Sequence, residues 1–134
     1  MDASVVVKWY VDEIHSDRAI GLRSWPGQLI APVLVHAELA SALLKKVRLH
    51  EMRYEDARSA LSSLPGYIEL RSDVMMLQAF ALARTRGTSL YDGIYATLAL
   101  QEGCRLLTAD RRLYRALAGD MPGVAVWIED IDSV

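Results

Sequence analysis

The sequence predicts an α/β sandwich whose largely parallel sheet is covered by helices on both faces. Two observations carry this expectation. Short apolar or β-branched runs alternate with longer stretches at helical spacing, and the junctions are brief turns: Trp25-Pro26-Gly27, Pro65-Gly66, Arg86-Gly87 and Pro122-Gly123. In addition, 134 residues, 52% of them hydrophobic, are enough for one substantial core and too few for two, so residues 1–134 are expected to form a single domain.

Taken in order, Val5-Val6-Val7 is open between a strand, favoured by three β-branched residues, and a helical turn, fitted by Val5, Lys8, Trp9 and Asp12. Leu29 to Ala31 reads as a strand, followed by a helix from Pro32 to Leu49 with the proline in its first turn, where a missing N–H is harmless. A helix from Tyr54 to Leu64 and a strand from Tyr67 to Leu70 come next. Helices from Val74 to Arg86 and from Ser89 to Glu102 follow, with Met75, Met76, Leu77, Phe80 and Leu82 expected in the core. Cys104 to Thr108 reads as a strand, Arg111 to Ala118 as a helix and Val124 to Ile128 as a strand. Open sheets of this kind bind ligands beyond the carboxyl ends of their strands.

Composition excludes several classes. The formal charge of −2, from 15 Lys plus Arg against 17 Asp plus Glu, lacks the basic excess that announces a nucleic-acid binder, although metal-bound carboxylates can reverse a local sign. No apolar run approaches the roughly 18 to 20 residues of a membrane span, and the first residues have no basic region followed by a long apolar stretch. No membrane partner is expected. The lone Cys104, in a segment expected to be buried, suits a reducing compartment, and cytoplasm is the expected localisation. His15, His36 and His50 show no zinc spacing and read as surface or boundary residues. There is no Gly-rich phosphate loop, and neither Ser4 nor Ser41 has a recognisable His and acid partner.

Four acids stand apart: Asp2, Glu38, Asp92 and Asp110 each fall at a strand end or on the inward side of a helix, among small or apolar neighbours. Carboxylates rarely occupy such places unless something positive holds them, which points to a divalent metal. At about 100° per residue, Glu38 lies on the apolar side with Leu34, Val35, Ser41 and Ala42; the competing reading is a boundary residue near Lys45 or Lys46. Asp92 completes a capping box, Ser89-Leu90-Tyr91-Asp92, and also shares a stripe of small residues with Ala96, Ala99 and Gly103. Capping and ligation both stand for it. Asp110 is either the N-cap of the next helix or a strand-end acid with Thr108 two residues before it. Asp2, close to the terminus, gains weight from the other three.

The ordered set Asp2-Ala3-Ser4-Val5-Val6-Val7-Lys8-Trp9, Ala37-Glu38-Leu39-Ala40, Tyr91-Asp92-Gly93-Ile94-Tyr95-Ala96 and Thr108-Ala109-Asp110-Arg111-Arg112-Leu113 closely resembles the PIN-domain ribonucleases, and more narrowly the VapC toxins of toxin–antitoxin modules. The resemblance covers nearly the whole chain. It implies a PIN-like three-layer sandwich in which Asp2, Glu38, Asp92 and Asp110 gather at one end of the central sheet and bind Mg²⁺ or Mn²⁺, with Thr108 supporting the site. It also implies an RNA substrate, a second identical chain and a VapB-type antitoxin that enters the active-site groove. Such families carry an apolar strand before the first Asp. Here only Met1 precedes Asp2, so the first strand is expected to be truncated, with the start upstream or the chain trimmed.

The chemistry expected of such a site is metal-dependent phosphodiester hydrolysis with water as nucleophile. Glu38 and Asp92 are expected to hold the principal metal, Asp2 to ligate directly, and Asp110 to act through water or a second ion. Lys45, Lys46, Arg48, Arg111, Arg112 and Arg115 are candidates for RNA phosphate contacts, against the reading that each is an ordinary solvated residue. Two rivals remain. One is a phosphoryl-transfer α/β protein with an aspartyl nucleophile; a haloacid-dehalogenase-like site would want a second Asp where Ser4 stands. The other is a catalytically silent RNA-binding or interaction domain.

Overall fold

The computed structural model describes residues 1–133. The chain opens with helix α1 (Ala3–Val6), which runs into a 3-10 turn over Val7–Trp9. The valine run is therefore helical. Its β-branched residues cost at most about 0.7 kcal/mol each in a helix, whereas fully burying a valine is worth roughly 1.5–3 kcal/mol, and Val5 and Val6 are fully buried. A short helix α2 (Ser16–Gly21), unassigned from sequence, follows His15 in a left-handed conformation (φ 69°).

Strand β1 (Ile30–Pro32) leads into α3 (Leu34–Arg48) and α4 (Tyr54–Ser63), then β2 (Glu69–Arg71). Helices α5 (Met76–Arg86) and α6 (Leu90–Gln101) form a hairpin, followed by β3 (Leu106–Thr108), α7 (Arg111–Ala118) and β4 (Ala125–Trp127). The expected strands are present; β1 keeps its three residues but lies one residue later, and the other three are shorter. Pro32 belongs to β1 and not to the first turn of α3. Its amide position points away from β2, so the missing N–H breaks no ladder bond, and Val33 N–H donates to Arg71 O at 2.9 Å.

Both strand pairings are parallel, as expected. β1 aligns with β2 (Ile30 opposite Glu69) and β3 with β4 (Leu106 opposite Ala125), giving two separate pairs among the described residues. The start of the chain lies between them. The Met1 amine donates to Ile30 O and Asp2 N–H donates to Leu107 O, both at 3.1 Å. Ile30 and Leu107 are the residues that ladder alternation turns away from their own partner strands, so each offers a carbonyl to the gap. Asp2 is thereby fixed where the two pairs meet. α6 contacts both β1 and β3, while Leu39, Leu43, Leu64, Leu106, Leu113, Leu117 and Ile128 fill the core.

Two expectations are corrected. Met75, Met76, Leu77 and Phe80 are not core: Leu77 is 86% and Phe80 64% exposed, and of that group only Leu82 packs partly against the core. Ala79 and Ala83 are instead the buried face of α5, because α6 approaches so closely that only small side chains fit between the two helices. Cys104 is exposed, just beyond the left-handed Gly103 that ends α6. The histidines behave as boundary residues. His36 Nε2 lies 3.0 Å from Leu61 O, His15 lies 3.3 Å from Glu129, and His50 is exposed.

Candidate active site

Asp2 is only 4% exposed and has no cation against its carboxylate among the described residues except the Met1 amine of its own backbone neighbour. Two hydroxyls hold it. Ser4 Oγ donates to Oδ1 and Thr108 Oγ1 donates to Oδ2, each at 2.5 Å. These neutral donors favour the ionised form, but burial outweighs them and raises the Asp2 pKa above its ordinary value. Burial likewise lowers the pKa of the Met1 amine.

Glu38 lies in the second turn of α3, where its helix meets α1, and is half-buried. Tyr95 Oη donates to Glu38 Oε2 at 2.5 Å. Burial raises the Glu38 pKa in spite of this bond, and the negative charges of Asp2 and Asp92 push it further the same way. Glu38 on α3 thus feels the charge of two other acids, one at the N-terminus and one on α6.

Asp92 forms the capping box anticipated from Ser89: Asp92 N–H donates to Ser89 Oγ at 3.1 Å, and Ser89 N–H to Asp92 Oδ2 at 3.3 Å. Ala96 and Ala99 of the small-residue stripe are buried in the core, while the close approach of α6 to α5 is made by Gly93, one residue after the acid. A Cβ there would stand 2.5 Å from Ala79 O and 3.0 Å from Ala83 Cβ, so the absence of a side chain lets α6 seat against α5.

Asp110 caps α7, its Oδ1 accepting from Arg112 N–H at 2.8 Å and Leu113 N–H at 3.1 Å. Its own N–H donates to Thr108 Oγ1 at 2.9 Å, and Ala109 N–H donates to Ser4 Oγ at 2.9 Å. Thr108 and Ser4 therefore splice the Asp110 turn to Asp2.

Hydroxyls thus link Asp2 to Asp110, and charge links Glu38 to Asp2 and to Asp92. Among the described residues, no three His, Cys, Asp or Glu side chains converge into a preformed metal cage. The donor set nevertheless suits Mg²⁺ or Mn²⁺, being all oxygen and negatively charged, with two members whose ionised forms are penalised by burial. Ser4 and Tyr95 are site residues that the sequence reading missed. Ser4 lacks the partners of a nucleophile and serves as a hydrogen-bond bridge; Tyr95 falls one helical turn after Asp92, which is the spacing that signals it.

The basic candidates divide. Lys45 and Arg48 are exposed and line, with Glu38, Ser41, Leu44 and Leu49, a groove of about 680 Å³ that runs along α3 from the acids. Lys46 points elsewhere and pairs with Glu51 at 2.6 Å. The Arg111 guanidinium stacks on Trp127 at 5.0 Å. Arg112, 80% exposed, reaches Asp92 Oδ2 only at 4.0 Å, and Arg115 is exposed on α7.

Comparison with known proteins gives four findings. The PIN domain family matches residues 1–118. Ribonuclease VapC3 of Pyrobaculum aerophilum is 34% identical over 117 residues, covering 84% of this chain and 89% of the relative. Ribonuclease VapC1 of Mycobacterium tuberculosis is 36% identical over 87 residues, covering 64% of this chain and 65% of that protein. The crystal structure of PAE2754 from Pyrobaculum aerophilum aligns with a TM-score of 0.72 at 25% identity, over 97% of this chain and 90% of that one.

Proposed function

This chain belongs to the PIN-domain family and resembles its VapC ribonucleases, and from that premise we propose that residues 1–134 act as one PIN domain, a cytoplasmic endoribonuclease toxin dependent on Mg²⁺ or Mn²⁺. The observation that carries the metal reading is that the charges of Asp2 and Asp92 both act on the half-buried Glu38, a concentration of negative charge that a divalent cation would offset. Bound there, the ion supplies Lewis-acid stabilisation of phosphate charge and a water of lowered pKa. Glu38, Asp92 and Asp2 hold it directly, and Asp110, already engaged as a helix cap, contributes through water.

Lys45 and Arg48 bind phosphates of the RNA strand along the α3 groove, aligning the scissile bond over the acids. A VapB-type antitoxin neutralises the enzyme by laying a segment in the same groove, with a basic side chain paired to the acids in place of the ion. A second copy of the chain completes the assembly, a reading supported by the apolar face that Met76, Leu77 and Phe80 expose on α5.

The test is cleavage of a panel of cellular RNAs with Mg²⁺, with Mn²⁺ and with chelator, by the unaltered chain and by Glu38→Gln and Asp92→Asn. Cleavage abolished by chelator and by either substitution is expected. Cleavage that persists through all three rejects the mechanism.

A further inference from the structure

We propose that Tyr95 is a positioning residue for the acid cluster: its phenol holds Glu38 by one oxygen, Oε2, so that the other oxygen is presented to a divalent cation. The proposal rests on the metal reading given above and assigns a residue to it.

Tyr95 is 3% exposed and its hydroxyl meets Glu38 at 2.5 Å, the length of a charge-assisted bond. Among the described residues no hydrogen bond reaches Glu38 Oε1. α6 carries Tyr95 one turn after Asp92, on the same side of the helix. One hydroxyl therefore joins the two helices that carry Glu38 and Asp92.

A buried tyrosine commonly finds some acceptor, so the bond alone fits a purely structural role. The chemistry of all the donors argues for more. Ser4 and Thr108 on Asp2, Tyr95 on Glu38, and the backbone amides on Asp92 and Asp110 are every one of them neutral. A lysine or arginine would orient these acids equally well but would also cancel the charge that draws in a cation. Two cations stand nearby without clamping an acid: the Met1 amine, which donates to Ile30 O, and Arg112, which is solvated and 4.0 Å from Asp92. Neutral clamps fix the carboxylates and leave their charge intact, which is how ligand-orienting partners of metal sites work.

The deciding experiment is Mn²⁺ titration of the full chain, with free ion followed by electron paramagnetic resonance, on the unaltered protein, Tyr95→Phe and Glu38→Gln. Phe keeps the ring and removes the hydroxyl alone. Expected is a Kd about 10–100-fold weaker for Tyr95→Phe, with a cooperative thermal transition retained, and loss of binding for Glu38→Gln. If Tyr95→Phe binds as tightly as the unaltered chain, whatever its melting temperature, Tyr95 is structural and the proposal is overturned. If the unaltered chain binds no Mn²⁺, the metal reading itself fails and takes the proposal with it. Should Tyr95→Phe not fold, 3-fluorotyrosine at position 95 replaces it: a fluorine resonance displaced by Mg²⁺ supports the clamp, and one unmoved by a bound ion overturns it.

Discussion

Thr108 donates its hydroxyl to Asp2 Oδ2 at 2.5 Å across 106 residues of chain, and accepts the Asp110 amide on the same oxygen at 2.9 Å. One fully buried side chain thus ties the end of β3 to the N-terminal turn and sets the spacing of two acids. Thr108→Val keeps the shape and deletes both bonds. Because one partner is a buried carboxylate, the loss is expected to be about 1.5–3 kcal/mol, measured as a lower urea midpoint. Cleavage should fall with it.

Glu38→Gln should move stability the other way. The amide oxygen still accepts from Tyr95, while repulsion from Asp2 and Asp92 disappears. A metal-free protein that melts higher yet no longer cleaves RNA is the expected result, as befits a residue kept for function at some cost to stability. A clear fall in the metal-free melting temperature would contradict it.

The pH dependence follows from the same burial. Asp2 and Glu38 both have folded pKa values raised above the ordinary carboxylate range. Once the pH exceeds about 4, the unfolded chain releases protons that the folded chain still binds, so their contribution to stability falls with rising pH. It is fully present below that value and lost through the raised folded values. Thermal unfolding in chelator should show this decline, and Glu38→Gln should flatten it. Mn²⁺ favours the ionised acids and should restore melting temperature toward neutral pH.

Gly93→Ala places a methyl 2.5 Å from Ala79 O, a backbone atom that cannot swing aside. Overpacking of this kind costs about 1–3 kcal/mol. Melting temperature should drop, and cleavage should drop further than stability alone accounts for, because α6 moves beside Asp92.

Lys45→Gln and Arg48→Gln should each weaken RNA binding on every sequence and reduce the salt slope by about one. Lys46→Gln should leave both unchanged, since that side chain is paired with Glu51 away from the groove. Filter binding at several salt concentrations separates the three.

Much of this molecule is legible in its sequence. Parallel pairing follows from the alternation of strands and helices along the chain, and the helix α7 from Arg111 to Ala118, the capping box at Ser89 and the cap at Asp110 are local patterns, read within a few residues. α5 was misread for a physical reason. Its bulky residues have the composition of a core, but which side of a helix is buried depends on its neighbour, and α6 comes close enough through Gly93 to admit only Ala79 and Ala83.

The sequence by itself determined the order of most elements from α3 onward and singled out four candidate acids, because hydrophobic period, turn residues and motif order are properties of the chain. Only the tertiary structure decided what holds those acids. The hydroxyls of Ser4 and Thr108 and the phenol of Tyr95 reach their carboxylates through folding, two of these bonds spanning 57 and 106 residues. So distant a pairing leaves no local spacing to read, and burial, which raises Asp2 and Glu38 together, exists only once the surrounding elements have packed.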